Sequence, residues 1–121
     1  MTVSFRRTVP LFRIFDIEKA REFYVDYLGF TVDWEHRFSD GMPVYMQVSR
    51  AGLTLHLTEH YGDASPGATA YIEVDGVGEL HAELQAKDYP YLKPGIEEDA
   101  TIGSILELID PFGNKLRMVQ P

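Results

Sequence analysis

The sequence predicts an α+β domain made of two copies of a strand–helix–strands unit. Three observations support this. Short stretches alternate apolar and polar residues, as in "LTLHLTEH" from Leu53 to His60, which gives a strand one buried and one polar face. Two other stretches carry apolar residues at helical spacing. The order of these elements then recurs with an offset of about sixty residues.

The first unit opens with a strand at "PLFRIF", Pro10 to Phe15. Asp16 can cap the following helix by accepting free backbone N–H groups. Ala20, Phe23, Tyr24, Tyr27 and Leu28 form its apolar stripe, and Gly29 supplies a left-handed stop. Strands are expected at Thr31 to Phe38, Val44 to Arg50 and Leu53 to His60, with "SDGMP" and "RAG" as turns. The linker is "YGDASPGA", Tyr61 to Ala68.

The second unit starts with the strand "TAYIEV". Asp75 is the expected cap of a helix using Val77, Leu80 and Leu84. An acid- and Pro-rich loop, "YPYLKPGIEEDA", leads to strands at Ser104 to Ile109 and Lys115 to Val119, joined by the turn "DPFGN". Asp16 falls on Asp75, and "GLTLHLTE" falls on "GNKLRMVQ". The 121 residues suit one domain, with module one about 1–62 and module two about 68–121. Each sheet buries its apolar face under its own helix, and the two polar faces are expected to curve around a cleft.

Composition narrows the function. A formal net charge of -8 argues against nucleic-acid binding. No apolar run approaches the roughly 20 residues of a membrane helix, and the N-terminal stretch lacks a secretory signal, so a cytoplasmic protein is expected. With no cysteine, thiolate metal sites, disulfides and cysteine nucleophiles are excluded. No nucleophile elbow, phosphate loop or zinc-protease helix motif is present.

Strand alternation nominates the cleft residues. His56 shares its face with Thr54 and Thr58. The same rule turns Tyr45, Gln47 and Ser49 inward, then Thr69, Tyr71 and Glu73, then Ile105, Glu107 and Ile109, and finally Arg117. Trp34, Phe38, Tyr45, Tyr61, Tyr71, Tyr89 and Tyr91 offer broad faces for planar or cationic ligands. Glu97, Glu98 and Asp99 form an acidic loop at the expected rim, able to draw a cation. His81 is expected on the solvent side of the second helix. His56 either lines the cleft as a neutral wall or packs against Arg117 or a carboxylate.

"FDIEKAREFYVDYLGF" and "LELIDPFGNKLRMVQ" resemble signature segments of the vicinal oxygen chelate superfamily of glyoxalases, extradiol dioxygenases and bleomycin resistance proteins. "VDWEHRF", "QVSRAGLTLHL" and "DPFGNKLRM" are most similar to the bleomycin resistance type. The resemblance implies paired βαβββ modules with curved mixed sheets around a cleft, and a homodimer whose grooves are built from both chains, with strand exchange left open. It implies metal-ligand positions at Val9, His56, Thr69 and Arg117, of which only His56 is a credible donor. It also implies a Trp before Gly103, where this chain has Ile102.

The resulting expectation is a metal-independent protein that sequesters a drug-like, cationic or aromatic small molecule, without cofactor or catalytic residues. Trp34, Phe38, Tyr45, Gln47, His56, Tyr61, Tyr71, Ile102, Glu107 and Arg117 are its candidate ligand contacts. A metal-dependent lyase or dioxygenase and a non-catalytic structural or regulatory dimer are the alternatives.

Overall fold

The computed structural model describes residues 2–121. Two four-stranded mixed sheets share one core. The first comprises β1 (Leu11–Arg13), β2 (Thr31–His36), β3 (Tyr45–Arg50) and β4 (Leu53–Thr58), in the order β1-β4-β3-β2. The second comprises β5 (Thr69–Glu73), β6 (Ile96–Asp99), β7 (Gly103–Ile109) and β8 (Lys115–Gln120), in the order β5-β8-β7-β6. In both, the first strand runs parallel to the fourth and the other pairs are antiparallel. The recurring strand–helix–strands order therefore corresponds to one topology used twice.

Helix α1 (Ile17–Arg21) starts as its sequence implies, with Asp16 Oδ1 accepting the Lys19 N–H at 3.0 Å. From Glu22 to Tyr27 the helix widens into a π-helical stretch. The expected stripe of Ala20, Phe23, Tyr24, Tyr27 and Leu28 is buried throughout. Gly29 ends the helix at φ +75°.

Helix α2 (Val77–Ala86) corrects the capping expectation. Its N-cap is Gly76, at φ +98°, and Asp75 makes no cap bond. Instead Gln120 Oε1, at the end of β8, accepts the N–H groups of Gly76 at 3.2 Å and Val77 at 3.0 Å. A tertiary partner has replaced the local one. The acidic "loop" is also corrected. Ile96–Asp99 is an edge strand antiparallel to β7, with Ile96 opposite Leu106 and Asp99 opposite Gly103. Charged side chains on an edge strand discourage pairing with a further strand.

The halves meet through their helices and hairpin turns. Tyr27 stacks on Tyr89 at 4.6 Å, and Phe23 packs edge-on against Tyr89. Arg50, at the end of β3, reaches Glu83 on α2 with two 2.8 Å bonds and also donates to Leu28 O. On the opposite side Tyr24 donates to Asp110 Oδ2 at 2.6 Å. Asp110 also accepts the Asn114 side-chain amide and the N–H groups of Phe112 and Asn114, each at 2.8 Å. Burial, then the charge and hydrogen bond of Asp110, push the Tyr24 phenol well above its ordinary pKa.

Two stability predictions result. Tyr24→Phe removes a donor from a buried carboxylate and should lower unfolding free energy by about 1–3 kcal/mol in urea titration. Gly103→Ala should be at least as costly. Gly103 sits at φ +113°, and an added Cβ would lie 2.2 Å from the Gln120 carbonyl oxygen, so β7 and β8 would have to separate.

Candidate functional site

On the first sheet, cross-strand register decides which side chains share a face. Leu11 lies opposite His56, His56 opposite Gln47, and Gln47 opposite Trp34. One row nearer the start of β3, Arg13 lies opposite Thr58, Thr58 opposite Tyr45, and Tyr45 opposite His36. Met46, Val48, Leu55 and Leu57 take the other face and are fully buried. A bulge between Val32 and Trp34 is essential to this arrangement. Unbroken alternation would place Trp34 beside Met46, on the core face. The extra residue, Asp33, moves it beside Gln47.

The polar face carries a continuous hydrogen-bond chain. Gln47 Nε2 donates to Asp33 Oδ2 at 3.0 Å, so Gln47 Oε1 points the other way, 3.0 Å from His56 Nε2. A carbonyl oxygen accepts, so His56 Nε2 carries the proton. Nδ1 of the neutral ring is then an acceptor, and the Tyr45 hydroxyl donates to it at 2.6 Å. Ser49 Oγ donates to Asp33 Oδ1 at 3.0 Å. Desolvation, reinforced by the Arg7 charge, lowers the His56 pKa, which agrees with a neutral imidazole. Hydrogen bonds from Gln47 and Ser49 hold the Asp33 carboxyl below its usual range.

Aromatic rings line the same face. Trp34 and Tyr45 lie nearly parallel, 9° apart with centroids at 6.0 Å. The His56 ring meets Trp34 at 5.4 Å and Tyr45 at 5.1 Å, both edge-on. Trp34 is 42% exposed, so the wall is open to solvent. His60, beyond the end of β4, tilts toward Tyr45 at 6.5 Å.

The ten candidate contacts divide between the sheets. Trp34, Tyr45, Gln47 and His56 form the cluster just described. Phe38 lies in the loop after β2, edge-on to His36, and Tyr61 lies beyond β4; both are largely exposed. On the second sheet Tyr71, Arg117 and Glu107 are neighbours in register, with Arg117 Nε donating to Glu107 Oε2 at 3.1 Å. Ile102 occupies the β6–β7 turn, half-buried. Among the described residues no hydrogen bond or aromatic contact joins the two groups. The hydrogen bonds of His56 go to Tyr45 and Gln47 and those of Arg117 to Glu107.

Thr58 departs from the expected cleft lining. It is fully buried, and its hydroxyl donates to Asp63 Oδ2 at 2.7 Å. His81 is half-buried, with Nε2 3.0 Å from Pro94 O, and does not simply face solvent. Of the three acids expected to draw a cation, Glu98 and Asp99 are engaged locally. Glu98 accepts from Ser104, and Asp99 accepts the N–H groups of Thr101 and Ile102. A cavity of about 780 Å³ does open between the halves, but it is lined by residues such as Phe30, Leu53, Ile72, Val74 and Leu80 and by none of the ten. Sequence reasoning missed Asp33, whose place in the chain depends on the bulge, and Arg13, which alternation along β1 would have placed with Leu11 on the His56 face.

The side chains do not fit the superfamily's divalent metal. Val9 has no donor, and the guanidinium of Arg117 is committed to Glu107. Both His56 nitrogens are engaged, the Nε2 proton by Gln47. Among the described residues no three His, Asp or Glu side chains group as a ligand set.

The family model described as "Glyoxalase superfamily protein" matches residues 1–121. Similar solved structures include the bleomycin-binding protein from bleomycin-producing Streptomyces verticillus, complexed with copper(II)-bleomycin. It is 27% identical, with 99% of each chain covered and a TM-score of 0.72. An antibiotic binding protein from Streptomyces sp. CB03234 is 26% identical, covering 100% of this chain and 98% of that one, with a TM-score of 0.70. The bleomycin resistance determinant encoded on transposon Tn5, at 20% identity, shares the fold, with 96% and 98% coverage and a TM-score of 0.75. No curated protein matches the sequence.

The hydrogen-bond chain predicts a titration. The His56 imidazole should titrate below its ordinary value of about 6.5, followed by NMR. Arg7→Gln should move the midpoint upward, because it removes a neighbouring positive charge. Since the folded pKa is the lower one, stability should fall as pH drops through the unfolded value and level off below the folded value.

Proposed function

The chain belongs to the glyoxalase superfamily, and we propose that it is a metal-independent binding protein that sequesters a planar, drug-like small molecule. The observation that carries this reading is the open wall of Trp34, Tyr45 and His56. It offers flat apolar area at low conformational cost, as ligand sites do. Its polar groups are already paired with one another, through Tyr45, His56, Gln47 and Asp33. Such a chain holds rings rigidly and leaves no free general base, so the ligand is retained and not transformed. The similar antibiotic-binding structures are consistent with a drug-like guest.

A face this open encloses little by itself. The groove is completed by a second copy of the chain, the open face of one first sheet meeting the open face of the other chain's second sheet. Exposed Trp34, Phe15, Tyr61, Tyr71 and Ile109 supply apolar area for that closure. The N-terminal segment, in which Val3 and Phe5 are exposed, supplies further apolar area for it. No described helix is long and apolar enough to cross a membrane. A cytoplasmic location agrees with that observation and with the absence of cysteine.

Light scattering should give twice the 13.8 kDa chain mass. Calorimetry with bleomycin should show saturable binding, and mass spectrometry should return the compound unchanged. Tyr45→Ala, which removes one ring and the His56 partner, should weaken binding about tenfold, or 1.4 kcal/mol. Absence of any saturable heat would reject the antibiotic form of the proposal.

A further inference from the structure

Three strand arginines reach into the fold, and two are paired. Arg50 binds Glu83 and Arg117 binds Glu107. Arg13, on β1, has neither a carboxylate within 4.0 Å nor a side-chain hydrogen bond among the described residues. Its Nε is buried without a partner. Two rings hold the charge, with the guanidinium 4.6 Å from the Phe15 centroid and 5.9 Å from that of Tyr61. These contacts use none of its N–H groups.

The direction of Arg13 is set by register. It shares a face with Thr58 and Tyr45, and so with the Trp34 wall. Asp63, the acid next to this row, accepts from Thr58 and does not neutralise it. Arg13 and Tyr45 are two strand spacings apart, about 10 Å. That separation suits one flat molecule with its ring at Tyr45 and a charged group at Arg13. A permanently charged, half-buried side chain without a counter-charge is costly in the free protein. Its fork of N–H groups matches the oxygens of a carboxylate, sulfonate or phosphate.

We propose that the ligand of this face carries an anionic group on its planar body, and that Arg13 is the residue that binds that group. The inference rests on the first-sheet face being the ligand platform. It replaces the expected preference for a cation, since two of the three acids that suggested one, Glu98 and Asp99, are engaged within β6 and its turn.

The test compares 2-naphthoate with its neutral counterpart, 2-naphthamide. Trp34 is the single tryptophan, so its indole N–H signal in NMR reports directly on the wall. Both probes should shift that signal, with naphthoate binding about tenfold more tightly. Arg13→Gln should bring naphthoate down to the naphthamide level and leave naphthamide unchanged, whereas Arg13→Lys should retain part of the difference. Equal affinities in the unmodified protein overturn the anion assignment and leave the platform standing. A preference surviving in Arg13→Gln overturns the role of Arg13. If neither probe moves the indole signal, both inferences fall. Circular dichroism checks that the variants fold; should Arg13→Gln not fold, Arg13→Lys and the loss of naphthoate preference at high salt decide the matter.

Discussion

A carboxylate withdrawn from water needs donors, and Asp110 has four of them. It is 5% exposed and accepts from Tyr24 on the helix, from the Asn114 side chain and from two backbone N–H groups of its own turn. Asn114 also donates to the Arg13 carbonyl at 2.8 Å, which ties the same knot to β1 of the other half. One buried polar group thus connects the first helix, the last hairpin and the first strand. Every lone-pair direction of the carboxylate is engaged, although Asn114 Oδ1 is buried without a partner; the geometry of these bonds makes relative placement of the halves specific. The strand it anchors presents Arg13 and Leu11 to the open face.

The clamp has a counterpart. Where Asp110 holds Tyr24 on the π-helical stretch that continues α1, Arg50 holds Glu83 on α2. Each hairpin grips the helix of the opposite half, as expected when one unit is used twice. The two grips differ in chemistry. The first is buried and neutralised by hydrogen bonds; the second is a half-exposed ion pair beside the 780 Å³ cavity. Strong burial marks the first seam and an open groove the second.

The candidate site depends on saturation of its own polar groups. Tyr45, His56, Gln47, Asp33 and Ser49 form one ordered chain in which the orientation of each group fixes the next. A chain like this suits recognition, because it rigidifies rings without leaving an unpaired base. It also explains why a lone histidine on the polar side of a strand is a poor metal ligand here. The fold is shared with enzymes and binding proteins alike, so the chemistry of this face, and not the fold, decides between them.

Much of the architecture was legible in the amino-acid order. Period-two alternation placed β3, β4, β7 and β8, the helical stripe placed Phe23 and Tyr24 in the core, and the recurring order of elements showed one unit used twice. These are local signals, since side-chain direction follows from backbone periodicity alone. Ile96–Asp99 was not legible as a strand, because a single apolar residue among acids carries no alternation and its pairing with β7 is made by backbone groups. The cap of α2 was misread because Gln120 lies 43 residues from Val77 and no local pattern encodes that contact. Trp34 reached the open face only through a bulge, which inverts alternation without a distinctive sequence. Whether Arg13 was paired or bare could be decided only by which acids the folded chain brought near it. Local order determined the elements and their faces; tertiary structure determined register defects, long-range caps and charge partners, because each depends on groups far apart along the chain.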